Sequence, residues 1–157
     1  MVTTEVELIQ VAARPFAGVL RATRRDDIPR VLIAGLDVVW PVVRTHARGT
    51  LGHNLALYRE LGEDRVELEC GVEVVPPFDE VGEVRLRWTP AGAAIHARHD
   101  GGPETLRDTY AVLHDWLRGH GSPTVTRFWE DYDDVDQHGA ILGIDLYMLL
   151  PEGFERP

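Results

Sequence analysis

Alternating polar and apolar residues predict that much of this chain forms β-strands. In the segment 65–75 the apolar residues share one face, while Glu67, Glu69 and Glu73 share the other. Such a strand has one face against a packed core and one face in water. Shorter runs of the same kind predict further strands near residues 5–8, 16–21, 55–59, 84–88, 92–97, 125–132 and 141–150.

Two stretches with apolar residues at three- and four-residue spacing predict amphipathic helices. The first covers about residues 29–46, and Pro41 within it predicts a kink near Trp40. The second begins at Pro103 and ends by Gly119. Its predicted inner stripe consists of Leu106, Tyr110, Leu113 and Leu117. Each helix therefore has one face suited to cover a sheet.

The predicted elements occur twice in the same order: a hairpin, a helix and a second hairpin. The two pseudo-symmetric halves cover about residues 5–77 and 82–151, a period of roughly seventy residues. We predict an α+β fold in one domain, residues 1–157, that duplicates a β-β-α-β-β unit. The expected packing places both helices on one face of an antiparallel sheet, with a central ligand cleft between them.

Charge and cysteine content exclude several functions. Lys and Arg total 16 against 26 Asp and Glu, giving a formal net charge of -10, so we expect no direct contact with nucleic acid. Cys70 is the only cysteine, which excludes an internal disulfide and suits a reducing compartment. The N-terminus lacks a signal peptide pattern, and no apolar run approaches the ~20 residues that span a bilayer. We therefore expect a soluble, cytoplasmic protein whose oligomeric state the sequence leaves open.

Metal and cofactor motifs are missing from the sequence. The seven histidines include no pair with the spacing of zinc enzymes. The acidic run 130–136 lacks the glycine and the distal glutamate of a calcium-binding loop. Ser122 is the only serine, and glycine-rich phosphate motifs are absent. We predict that the protein uses neither a metal nor a cofactor.

Short motifs in a fixed order cover about residues 5–151. They are Tyr58, Gly71–Val74, Pro90–Gly92, His99 with Gly102–Pro103, Trp116–Leu117, Glu130–Tyr132 and Asp145–Tyr147. In this combination the chain resembles the GyrI-like (gyrase-inhibitor-like) effector-binding domain family, as a stand-alone member without a DNA-binding domain. Similar domains occur in bacterial multidrug transcription regulators. The resemblance implies binding of small, aromatic, often cationic molecules.

Two acid–tyrosine pairs are the candidate ligand site. Glu130 and Tyr132 are two apart on a strand and so face the same way, and the same holds for Asp145 and Tyr147. We expect both pairs to face the cleft. A poorly solvated carboxylate among aromatic rings suits a lipophilic cation. Additional flat walls are expected from Trp40, Tyr58 and Trp88. The same residue types also serve as ordinary core and surface residues.

Three functions stay open. The leading hypothesis is a binding protein for drug-like aromatic cations, acting in sequestration, resistance or sensing. The second is a hydrolase of reactive, cyclopropane-bearing compounds, with Glu130 as general base and Tyr132 or Tyr147 stabilising the departing oxygen. The third is a protein-directed modulator of DNA gyrase. Turnover of excess compound separates the second from the first.

Overall fold

The computed structural model describes residues 4–134 and 137–154, so Val135 and Asp136 of the acidic run lie outside the described residues. Within these residues the chain forms eight strands and two α-helices. They are β1 (Val6–Val11), β2 (Pro15–Arg24), α1 (Ile28–His46), β3 (Asn54–Gly62), β4 (Arg65–Glu73), β5 (Arg85–Trp88), β6 (Gly92–Asp100), α2 (Leu106–Gly119), β7 (Arg127–Tyr132) and β8 (Gly143–Leu149). The predicted α+β class is confirmed.

The elements belong to two compact units. The contiguous unit is Ala13–Pro90, and its strands pair in the order β3-β4-β2-β5. The split unit combines the described residues before Ala13 with those after Pro90, and its strands pair in the order β1-β6-β8-β7. All of these pairs are antiparallel. The boundaries of these units, at Ala13 and Pro90, differ from those of the predicted sequence halves, 5–77 and 82–151, which stay a prediction.

The partners of β1 and β5 differ from the predicted hairpins. β1 pairs with β6, from Val6 opposite Ala97 to Val11 opposite Gly92. β5 pairs with β2, from Pro15 opposite Trp88 to Gly18 opposite Arg85. The prediction that each half begins with a hairpin is therefore wrong. Alternation tells which face of a strand is buried, but it does not identify the neighbouring strand.

In the contiguous unit, α1 lies directly against β4. A Cβ atom added to Gly35 would lie 2.3 Å from the Cys70 Sγ and 3.4 Å from a methyl carbon of Val19. Val39 and Val43 are also buried on this face of the helix. Burial raises the pKa of the Cys70 thiol to about 11, so the thiol is neutral at ordinary pH. This interface is tightly packed and largely apolar, and the predicted dry face of β4 is buried as expected.

In the split unit, α2 packs on β6. Leu113 and Leu117 are buried as the stripe predicted, but the next buried helix residue is Thr109, while Leu106 and Tyr110 are only half-buried. The helix thus places a threonine against the sheet and leaves Tyr110 at the border of the interface. Neither helix in the described residues has both the length and the apolar character that crossing a membrane requires.

Candidate ligand site around Glu130

Glu130 places a carboxylate on the helix-covered face of the split unit's sheet. Its residue is 5% exposed. On β7, Glu130 lies opposite Leu146 of β8, and in an antiparallel pair such opposed side chains share a face. Leu146 in turn lies opposite Ala97 of β6, and both are fully buried. A carboxylate in such surroundings requires hydrogen-bond donors.

Two tyrosines donate hydrogen bonds to this carboxylate. The Tyr110 hydroxyl, which comes from α2, donates to Oε2 of Glu130 at 2.5 Å. The Tyr132 hydroxyl, on the same strand, donates to Oε1. The ring of Tyr110 also meets Phe128 edge-on, with centroids 6.0 Å apart. The carboxylate of Glu130 and the rings of Tyr110, Tyr132 and Phe128 therefore form one cluster.

A histidine network joins β6 to the start of α2. His99 is 5% exposed and lies at the C-terminal end of β6. Its Nδ1 is 2.8 Å from the Thr109 hydroxyl oxygen, and its Nε2 is 2.9 Å from the carbonyl oxygen of Gly102. Because a carbonyl only accepts, Nε2 donates to Gly102, and in the neutral imidazole Nδ1 then accepts from Thr109. Nε2 also lies 3.1 Å from the Thr105 hydroxyl oxygen.

Asp145 and Tyr147 lie on the other face of this sheet. In the register of β7 and β8, Asp145 is opposite Asp131 and Tyr147 is opposite Trp129. These positions alternate with those that face Glu130. The expected convergence of two carboxylates and two phenols is therefore wrong. The two residues of each pair share a sheet face, as their spacing predicts, but the register puts the two pairs on opposite faces of the sheet.

Asp145 is already part of an ion-pair network. Its Oδ2 lies 3.0 Å from Nη1 of Arg98, and its Oδ1 lies 2.8 Å from Nε2 of His96. Arg98 also donates hydrogen bonds to Asp133, and these bonds together with the nearby charge of Asp145 raise the pKa of Arg98. A Cβ atom on Gly143 would lie 2.2 Å from Nη2 of Arg98, so the glycine leaves room for the guanidinium.

Tyr147 belongs to an aromatic row on the same face as Asp145. It stacks on Trp129 with centroids 5.1 Å apart and planes at 11°. On its other side, the ring of His96 is 4.9 Å away. Tyr147 and Asp145 thus have defined structural contacts, and their role in ligand binding stays a prediction.

The other three predicted site residues belong to the contiguous unit. Trp40 donates from Nε1 to the Asn54 side-chain oxygen at 2.9 Å, and Arg44 lies 5.2 Å above its ring. Tyr58 is 3% exposed and lies opposite Leu68 on β4. Trp88 on β5 is 50% exposed. Trp40 and Tyr58 thus pack within their own unit. Ligand binding by Trp40, Tyr58 and Trp88 stays a prediction.

Sequence reasoning missed Tyr110 as a site residue. The helical spacing groups Tyr110 with three leucines in the predicted apolar stripe of α2. One signal was present, because the hydroxyl of a tyrosine in a buried stripe must find a hydrogen-bond partner. Thr109, next to it, is likewise a polar residue on the inner side of the helix. Such residues in a leucine stripe indicate a polar group on the sheet beneath.

The sequence matches neither a protein-family model nor a curated protein. Solved structures do match. The EcmrR C-terminal domain aligns with a TM-score of 0.69 and 16% identity, covering 96% of this chain and 99% of that one. SAV2435 bound to tetraphenylphosphonium aligns with a TM-score of 0.68 and 15% identity, covering 94% of each chain. A hydrolase encoded by lin2189 from Listeria innocua aligns with a TM-score of 0.56 and 11% identity, covering 94% and 92%. These likenesses fit the GyrI-like effector-binding fold that the sequence motifs resemble.

Proposed function

We propose that this protein binds small aromatic cations and that the carboxylate of Glu130 is the anchor for the positive charge. The observation that carries the proposal is a buried carboxylate with a tyrosine hydroxyl on each oxygen. Such a carboxylate attracts a cation strongly because little water screens it, and aromatic ring faces add to the attraction. A structural neighbour, SAV2435, was solved with tetraphenylphosphonium, a cation of this class.

The surroundings of Glu130 suit a ligand that is both flat-sided and charged. Tyr110 and Tyr132 fix the orientation of the carboxylate, and Phe128 adds a ring without a polar atom. The net charge of -10 draws cations toward the protein over longer distances. Binding of this kind serves sequestration, resistance or sensing of toxic aromatic compounds.

The test is calorimetric titration of tetraphenylphosphonium into wild-type and Glu130→Gln protein. We expect the variant to bind at least about tenfold more weakly, a loss of roughly 1.4 kcal/mol, because it keeps the shape of Glu130 and loses the charge. Asp108→Asn, which removes the same charge from the exposed side of α2, is the matched control. Tetraphenylborate, with the same shape and opposite charge, should not bind. Unchanged affinity in Glu130→Gln would contradict the proposal.

Asp145→Asn, titrated in the same way, decides whether the opposite sheet face takes part. A loss as large as that of Glu130→Gln would extend the binding site to Asp145 and Tyr147. An unchanged affinity would assign Asp145 to the ion-pair network alone.

Hydrolysis of reactive aromatic compounds is the second candidate function. It is favoured by the structural likeness to the lin2189 hydrolase and by the carboxylate–phenol arrangement. In this function Glu130 accepts a proton from water once a tyrosine hydroxyl releases one of its oxygens. The water oxygen bonds to a cyclopropane carbon as a C–C bond of the ring breaks, and Tyr132 donates a proton to the substrate atom that receives the electron pair. Mass spectrometry with a tenfold excess of a cyclopropane-bearing alkylator separates the two functions. A hydrolase consumes the excess, whereas a binding protein protects one equivalent.

A further inference from the structure

The connection between β6 and α2 is held by one buried side chain. His99 contacts the carbonyl of Gly102, the hydroxyl of Thr105 and the hydroxyl of Thr109. These three partners lie before, at and after the start of α2. Thr105, the N-cap of that helix, makes no side-chain capping bond of its own. The first turns of α2 therefore depend on a histidine from the neighbouring strand.

The contact to Thr109, together with the buried Leu113 and Leu117, constrains how α2 is rotated about its axis. Successive residues are about 100° apart around a helix, so the direction of Thr109 toward His99 determines the direction of Tyr110. His99 lies opposite Ile144 on β8, and Ile144 lies opposite Tyr132 on β7. His99 and Tyr132 therefore share the sheet face that carries Glu130. With Thr109 held above β6, the Tyr110 hydroxyl reaches the Glu130 carboxylate at 2.5 Å.

We infer that His99, acting through Thr109, is a positioning residue for the ligand site: it holds α2 in the rotation at which Tyr110 contacts Glu130. This inference rests on the proposed binding of aromatic cations. It assigns His99 a task beyond the stability of the fold, because a small rotation of α2 moves Tyr110 off the carboxylate. It also explains why the helix has a threonine, and not an aliphatic residue, above β6.

Thr109→Val tests the inference with little change of shape, because it exchanges a hydroxyl for a methyl group. We expect tetraphenylphosphonium affinity to fall about tenfold, while Thr109→Ser, which keeps the hydroxyl, stays within about twofold of wild type. Thermal unfolding is followed in parallel. His99→Gln is the second variant: its amide nitrogen can take the place of Nε2 and donate to Gly102, but the side chain has no acceptor atom at the position of Nδ1, so it should show a similar loss.

A double-mutant cycle separates positioning from general stability. If His99 and Thr109 act through Tyr110, Thr109→Val should have no further effect on affinity in a Tyr110→Phe background. Losses that multiply in the double variant would overturn the inference, as would wild-type affinity in both Thr109→Val and His99→Gln. Nitrogen NMR of His99 adds a spectroscopic readout, since an acceptor Nδ1 carries no proton.

Failure of the inference and failure of the proposed function give different results. If Glu130→Gln weakens binding while Thr109→Val and His99→Gln do not, the result supports Glu130 as the anchor of the positive charge and contradicts the positioning role of His99. If Glu130→Gln leaves binding unchanged, the proposed function itself fails.

Discussion

Each compact unit contains one series of strand, helix, strand and strand, β2-α1-β3-β4 in the contiguous unit and β6-α2-β7-β8 in the split unit, but the two join the helix to the sheet in different ways. In the contiguous unit, Gly35 of α1 sits against Cys70, and valines continue the contact. In the split unit, α2 meets the sheet through hydrogen bonds from Thr109 to His99 and from Tyr110 to Glu130. The first interface is apolar and close, whereas the second adds these buried hydrogen bonds to the apolar contacts of Leu113 and Leu117.

The contrast shows that the topology does not require buried polar groups. An apolar interface stabilises the same arrangement without the desolvation cost of a carboxylate, an imidazole and three hydroxyls. We interpret the hydrogen bonds of the α2 interface as serving the ligand site proposed around Glu130. The following variants test each side of this comparison.

Gly35→Ala should have the largest effect. Alanine favours a helix by about 1 kcal/mol over glycine, yet its Cβ would overlap the Cys70 Sγ, so we expect a net loss of about 3 kcal/mol in unfolding free energy. Adding Cys70→Ala should restore most of the loss by removing the sulfur. Gly119→Ala, where an added Cβ meets nothing within 4 Å, is the matched control. Urea denaturation measures all four proteins, and a stabilised Gly35→Ala would show that the contact is loose.

Gly143→Ala should have a smaller effect, on the far face of the split unit's sheet. The added Cβ displaces the Arg98 guanidinium from Asp133 and Asp145. These ion pairs are partly exposed, so we expect a loss of about 1 kcal/mol that shrinks at high salt. Arg98→Gln should cost a similar amount, and the two changes together should cost no more than either alone. Additive losses would mean that Gly143 acts on something other than Arg98.

An apolar triple variant, Glu130→Met with Tyr110→Phe and Tyr132→Phe, should change stability least. Replacing the carboxylate together with both tyrosine hydroxyls removes these hydrogen bonds without leaving one of the three groups facing a lost partner, so the unfolding free energy should stay within about 1 kcal/mol of wild type or rise. Binding of tetraphenylphosphonium should be lost. A loss of several kcal/mol with intact binding would show that the cluster serves the fold and not the ligand.

The pattern of the sequence predicted the elements well, because local periodicity determines them. The alternation in β4 and the helical spacing of α1 and α2 each reflect one buried face. The partners of β1 and β5 were missed for a physical reason. Residues 12–14 are a short connection that also suits a hairpin, and the competing pairing with β6 depends on side chains far along the chain.

The candidate site was only half predictable. The spacing of Glu130 and Tyr132 placed them on one face, and their contact bears this out. The opposite orientation of Asp145 follows from the register of β8 against β7, which no local pattern encodes. Tyr110 reaches Glu130 only because α2 is held in one rotation, and that too is a tertiary property.

The split unit has a consequence for the order of folding during synthesis. β1 leaves the ribosome first, but its partner β6 follows only after roughly eighty further residues, so closing this pairing carries the entropy cost of a long loop. The strands and the helix of the contiguous unit are all synthesised in that interval. This unit can therefore fold before β1 has paired with β6. The contacts between α2 and β7 around Glu130 are then among the last of the described contacts to form.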